Sequence, residues 1–382
     1  MARLRYVPLT ILVVCVIAAT VIGRVERGDA AGDKPRVAAA ARVPTLPSVC
    51  APPVDQGLTS EPWSDDDREE ASEARFTAAM AKEAPGHVTG RDGWLFFSDV
   101  QAMDISQAVG RERLSKTPIE KWNTYLSQMR RDAEARGGRF YVLIAPAKWD
   151  VYPENLPTWA QELRGTNSLD RLMAAHPELP FIDVRQPLRD ASRDVPTYSP
   201  LNSHWTDYGG WVAWKAVTAC LRADDKSDAS LDAPAIDGVG RVDDLNEFAA
   251  DGVALPAEPQ RTTPEYVAPH PSTSAKDVKT GADVQLAADD SVDMVQLPVE
   301  TRTADAQTSK TLLALRDSTG SALSPLWSAS FARTVQYQHP IGGIGAPVDM
   351  ARLVDEYRPD ITIFSMTERY LTFDPPATSS EQ

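Results

Sequence analysis

The chain has 382 residues, 42% of them hydrophobic, enough for one large domain or two small ones. Its formal net charge of −15 argues against nucleic acid or an anionic lipid surface as the main partner. Three cysteines without a CxxC and five histidines without ligand spacing argue against a zinc site, and no residue pattern calls for a metal or another cofactor.

At the N-terminus, Arg3 and Arg5 precede an uncharged stretch from Tyr6 to Gly23, and Arg24 follows it. Basic residues before an apolar run place the N-terminus inside the cell and the remainder outside. Residues 1–24 therefore read as a retained signal anchor, with a cleaved signal peptide as the alternative. Residues 25–60, rich in Ala, Pro, Arg and Gly, read as a flexible tether, and 61–382 as the globular body. The expected location is the cell membrane, single-pass, with the body on the extracytoplasmic side, or secretion if the segment is cleaved. Cys15 lies inside the apolar stretch. Cys50 and Cys220 remain as an even pair in an exported body, where a disulfide persists; a buried free thiol is the alternative for Cys220.

A helix is expected from about Ala71 to Lys82, and an aromatic strand after the turn Gly90-Arg91-Asp92-Gly93. From residue 117 helix and strand alternate. Helices are read over 118–136, 169–175, 206–221 and 347–357, and strands over 140–145, 181–184, 312–315, 333–338 and 360–365. That alternation predicts an α/β sandwich with a mostly parallel sheet. Residues 222–310 interrupt it. They read as an elaboration, partly β and partly irregular, with strand-like pieces such as Asp293–Leu297.

The apolar run Leu312–Leu315 stops at Arg316-Asp317-Ser318, and a helical segment follows. A serine at such a strand-to-helix turn is exposed at the sheet edge, where a nucleophile belongs. His204, in Asn202-Ser203-His204-Trp205, is the one histidine between a polar turn and an aromatic helix start. The pair suggests acyl transfer through a serine ester. The backbone N–H of Ser318 is expected in the oxyanion hole. Lys148, Trp149 and Arg316 are candidate substrate-binding residues. Trp94, Trp205 and Trp211 are either sugar platforms or core.

Five blocks in order resemble the alginate O-acetyltransferase AlgX/AlgJ family, SGNH hydrolase-like proteins of exopolysaccharide acetylation. They are Gly90–Phe96, Ala145–Glu154, Asn202–Trp205 with Gly209-Gly210, Arg316–Ser318, and Pro359–Ile361 through Thr367–Arg369. The resemblance implies an SGNH hydrolase-like three-layer sandwich behind the N-terminal membrane segment. It implies Ser318 as nucleophile, His204 as general base, a polysaccharide acceptor, and a membrane-bound O-acyltransferase that supplies the acetyl group. Two positions depart from the family pattern. Asn202 stands where the family has the Asp that orients the histidine, and Thr319 where it commonly has an aromatic residue. An Asn offers an amide oxygen but no charge. The chain then needs another carboxylate, Asp207 being one candidate, or works slowly, and Asn202→Asp is expected to raise the rate. The alternatives are a catalytically weakened polysaccharide-binding or assembly protein on the same fold, and a carbohydrate acetylesterase.

Overall fold

The computed structural model describes residues 46–377 apart from Thr59. The proposed anchor at 1–24 and residues 25–45 of the proposed tether lie outside these residues. No helix among the described residues is long and apolar enough to cross a membrane.

The organising strand is β3 (Arg139–Ala145). Its run Phe-Tyr-Val-Leu-Ile-Ala has no polar face, because both sides of the sheet are covered. Phe140, Val142 and Ile144 point into one apolar layer and Tyr141, Leu143 and Ala145 into the other. Around it a seven-stranded sheet runs in the order β4, β3, β11, β9, β10, β8, β7. The strands are β4 (Phe181–Ile182), β7 (Thr273–Asp277), β8 (Val299–Thr303), β9 (Thr308–Arg316), β10 (Phe331–Gln338) and β11 (Ile361–Thr367). The pairs from β4 to β10 are parallel; β8 and β7 close one edge antiparallel. The remaining strands make two small ribbons, β1 (His87–Thr89) with β2 (Leu95–Phe97), and β5 (Ile236–Val242) with β6 (Arg261–Tyr266).

Two helical layers complete the sandwich. Helices α1 (Lys116–Glu134) and α4 (Met350–Tyr357) cover the face that carries Val142, Leu313 and Phe364. Helices α2 (Asp207–Asp224) and α3 (Ser324–Ser330) cover the face that carries Leu143, Leu312 and Ile363. The α/β sandwich expected from the alternation is thus present, with its mostly parallel sheet. Because β3, β9 and β11 run parallel, their carboxyl ends meet along one edge, where ligand sites of such sheets gather.

Three expectations need correction. The tether does not reach residue 60 as loose chain: from Leu46 the backbone is packed on the body. Cys50 is buried, its carbonyl accepts from Asp183 N at 2.7 Å, and Gln56 Nε2 donates to Asp150 Oδ1 at 3.0 Å. The helix read from Ala71 begins at Asp66, because Asp65 caps it by accepting from Arg68 N. The strand-like piece at Asp293–Leu297 is a short 3-10 turn, Met294–Gln296. There Asp293 and Gln296 form a reciprocal capping box, a local bond that outcompetes strand pairing. Residues 222–310 are otherwise mixed: β7 and β8 join the main sheet, the ribbon of β5 and β6 lies apart, and irregular chain links them.

Cys50 and Cys220 are bonded, with Cα atoms 4.6 Å apart, and this ties the lead-in to the far end of α2.

Candidate active site

β9 ends at Arg316, and the next residues turn sharply into a 3-10 segment, Ser318–Ser321. Asp317 builds that turn. Its Oδ1 accepts from Thr319 N at 2.9 Å and Thr319 Oγ1 at 2.5 Å. Its Oδ2 accepts from Thr367 N and Oγ1, both at 2.7 Å, so the turn is stitched to the end of β11. Burial pushes the Asp317 carboxyl up, but His339 and these donors hold it below the usual carboxylate range. Arg316 lies underneath, fully buried. It donates to Gln336 Oε1, Asp317 O and Val292 O at 2.9, 3.0 and 2.6 Å. A Cβ on Gly320 would sit 2.2 Å from the Arg316 Cδ, so the turn closes only over a glycine. Ser318 itself is half-buried. Its N–H opens the 3-10 turn and has no acceptor within it, as an oxyanion donor requires.

His204 reaches this serine from the loop before α2. Its Nε2 is 2.8 Å from Ser318 Oγ. Trp205 Nε1 donates to Thr319 O at 2.9 Å and fastens the histidine loop to the nucleophile turn. The Gly209-Gly210 pair lets α2 approach. A Cβ on Gly209 would meet Thr197 O at 2.3 Å, and one on Gly210 would meet Ala322 Cβ at 2.9 Å.

The other ring nitrogen, Nδ1, faces two oxygens. Asn202 Oδ1 is 2.9 Å away and also accepts from His204 N at 3.0 Å. Glu247 Oε1 is 3.3 Å away. Asn202 Nδ2 donates to Asp244 Oδ1 at 2.8 Å. Glu247 additionally accepts from Ser203 Oγ at 3.1 Å and from Ser203 N. Burial pushes the Glu247 carboxyl up, but the His204 ring, the Ser203 amide and the charge of Arg369 hold it down, at about 2. With Nδ1–H donating, Nε2 is left as the base toward Ser318.

The structure therefore brings Ser318, His204 and Asn202 together, and it does not bring the three expected substrate-binding residues to an open surface. Lys148 is buried among the rings of Trp94, Phe96 and Phe248. Its Nζ donates to Pro200 O at 2.9 Å, which braces the loop before Asn202, and burial pulls its ammonium down to about 7. Trp149 is buried with Nε1 on Asp104 Oδ1 at 3.2 Å. Arg316 is the strut already described. Each stood as a candidate substrate-binding residue because a charged or aromatic residue beside a motif carries no mark of its burial. Asp207 pairs with Arg261 at 3.2 Å rather than with His204. Trp94 packs on Tyr152 and Trp205 holds the nucleophile turn, whereas Trp211 is half-buried and stacked on Tyr208. His339, which follows β10, is buried beside Asp317 at 3.4 Å. Glu247 and Asp244 escaped sequence reasoning. The acidic stretch Asp243-Asp244-Leu245-Asn246-Glu247 lies some forty residues beyond His204 and has no periodicity.

The family described as "SGNH hydrolase-like domain, acetyltransferase AlgX" matches residues 88–291. The chain belongs to this family. The match takes in His204 and Glu247 and ends before Ser318. A relative among curated proteins is the "Probable alginate O-acetylase AlgJ" of Pseudomonas aeruginosa, 27% identical over 180 residues. Those residues are 46% of this chain and 42% of that protein, so the chain spans less than half the length of the relative it matches. Among solved structures, Bacillus cereus PatB1 is similar with a TM-score of 0.50 and 14% identity, over 75% of this chain and 96% of that one. A DHHW family protein from Eubacterium siraeum DSM 15702 is similar with a TM-score of 0.52 and 15% identity, over 76% and 93%. These two show the shared fold. The AlgX-family fold carries the SGNH-like sheet edge on which Ser318 and His204 sit.

Glu368, in the last of the family blocks, gives a test of pH dependence. It is buried, and one carboxylate oxygen accepts from Ala147 N at 2.9 Å while the other has no hydrogen-bond partner among the described residues. Burial, and then the nearby Asp150 charge, raise its carboxyl well above the usual value. A raised folded value means the neutral form is native. The stability it supports is complete below the unfolded value of about 4.3 and is lost as pH rises toward the folded one. Glu368→Gln keeps the acceptor without the charge, so its unfolding free energy should fall less with rising pH than wild type. Parallel pH slopes in denaturant titrations would refute this.

Proposed function

We propose that this chain is an O-acetyltransferase that passes acetyl groups through a Ser318 ester to a cell-surface or secreted polysaccharide. The observation that carries the reading is the 2.8 Å contact of His204 Nε2 with Ser318 Oγ at the carboxyl edge of the sheet, in a chain of the AlgX family. In the first step Ser318 Oγ bonds to the acetyl carbonyl carbon and its proton passes to His204 Nε2. The tetrahedral oxyanion faces the Ser318 N–H. Collapse breaks the bond to the leaving group, which takes the proton from His204. In the second step a sugar hydroxyl gives its proton to Nε2 and attacks the ester carbonyl. Ser318 Oγ leaves and recovers that proton, so the enzyme is restored.

The body is proposed to work outside the cell, held by the apolar stretch behind Arg3 and Arg5. A membrane-bound O-acyltransferase would supply acetyl on that side. Binding without chemistry, the weakened-protein reading, rests on Asn202 alone, and the carboxylate of Glu247 at 3.3 Å from Nδ1 weighs against it.

The test uses p-nitrophenyl acetate with and without oligosaccharides, uronate-containing and neutral. Acetylated sugar should form in proportion to released p-nitrophenol, and protease added to intact cells should remove the body. Release that is unchanged by every sugar, with acetate as the sole product, would make the protein an esterase. No release would leave the binding reading.

A further inference from the structure

We propose that Glu247, delivered from the elaboration between β5 and β6, is the carboxylate that assists His204, and that Asn202 is a neutral spacer holding the ring. The proposal rests on the transferase reading for its chemistry. Its geometry stands independently.

Three observations carry it. First, Nδ1 of His204 has a carboxylate within ion-pair distance, Glu247 Oε1 at 3.3 Å, although the residue two before the histidine is neutral. Second, the carboxylate is held in place. Glu247 N donates to Leu201 O at 3.1 Å, and its side chain accepts from both Ser203 N and Ser203 Oγ. The next residue, Phe248, is buried against Leu95, Leu201 and Phe97, its ring centroid 5.1 Å from that of Phe97. Third, Asn202 has no freedom to change its role. Its oxygen accepts from His204 N and faces Nδ1, and its Nδ2 donates to Asp244. Flipping the amide would set NH2 against the histidine donors and the oxygen against a carboxylate.

When His204 takes the Ser318 proton, the ring becomes an imidazolium with both nitrogens donating. Asn202 supplies an acceptor at Nδ1 but no charge. Glu247 supplies the charge, at a distance where a carboxylate favours the cation. Arg369 also bears on this carboxylate, and Lys148 lies near it. The charge of Arg369 helps keep it ionised, and Asp244 engages Asn202. The triad is thereby completed by a residue that acts through His204, a positioning residue, from a segment of chain remote from the histidine.

This reverses the expectation for Asn202→Asp. A carboxylate at 202 would face Asp244 across the present 2.8 Å hydrogen bond and would add a second negative charge beside Nδ1. The decisive set is Glu247→Gln, Asn202→Asp and the two combined, followed by the rate at which p-nitrophenyl acetate acylates Ser318. Glu247→Gln should lower the rate about 100-fold, less than the roughly 10⁴-fold loss on neutralising a sole triad carboxylate, because Asn202 still holds the ring. KM for the ester should hold and the pH midpoint of acylation should move down. Asn202→Asp alone should be no faster than wild type. Combined with Glu247→Gln it should recover about tenfold, because the charge then returns from the other side. A merely structural role for Glu247 predicts no such rescue.

A wild-type rate in Glu247→Gln, or a faster single Asn202→Asp, would overturn the proposal. If wild type itself takes no acetyl, the transferase reading falls. The proton resonance of His204 Nδ1–H then decides the geometry: an upfield move in Glu247→Gln upholds the contact, and an unmoved resonance ends it.

Discussion

His204→Ala is expected to slow acylation of Ser318 by on the order of 10⁵- to 10⁶-fold, and Ser318→Ala to abolish the acetyl adduct. The serine hydroxyl is a poor nucleophile until a base takes its proton, and Nε2 at 2.8 Å is the base within reach. The two act as a unit, so in turnover of p-nitrophenyl acetate the double variant should be little slower than either single one. Residual turnover would come from the oxyanion donor and binding. Folding should survive, because Ser318 is half-buried and the Asp317 hydrogen bonds that build the turn do not involve its hydroxyl. Incubation with an activated acetyl ester and mass analysis of the Ser318 peptide measures the effect. Equal labelling in Ser318→Ala would move the nucleophile to another residue.

Replacing Cys50 and Cys220 together by alanine should produce the largest stability loss of any change away from the sheet core. The bond closes a span of 170 residues. In the chain-entropy picture a loop of that size contributes about 5 kcal/mol by restricting the unfolded state. The bond also fixes residues 46–58 onto the body, where the Cys50 carbonyl meets Asp183 and Arg189 Nη2 donates to Gln56 Oε1 at 2.9 Å. Urea unfolding should show a lower midpoint in the double variant. The same midpoint in wild type and variant would mean that the unfolded state is already restricted, or that the cysteines do not pair in solution.

The elements with local causes were legible. The apolar run 140–145 and the run before Ser318 read as buried strands because both faces of a covered parallel sheet are apolar, and they are β3 and β9. The helix over 206–221 read from its hydrophobic period, and it is α2, which Thr206 caps by accepting from Gly209 N. The nucleophile turn was legible because an apolar strand stopped at Asp-Ser-Thr-Gly. The side chains of Lys148, Trp149 and Arg316 were misjudged for the complementary reason. Burial of a polar residue depends on partners far along the chain, such as Pro200 for Lys148 and Val292 for Arg316.

By itself, then, the sequence determined the alternation of helix and strand, the parallel sheet and the Ser318–His204 pair. The first two follow from hydrophobic period and turn chemistry, which are properties of adjacent residues, and the pair came from the turn around each residue and the order of the family-like blocks. The tertiary structure alone decided what stands behind His204. Asn202 sits two residues before it and was visible. Glu247 reaches Nδ1 only because Phe248 is buried against Leu95, Leu201 and Phe97 and carries the irregular segment back to the histidine loop. That approach is set by packing between remote segments, and no local pattern in residues 243–247 encodes it.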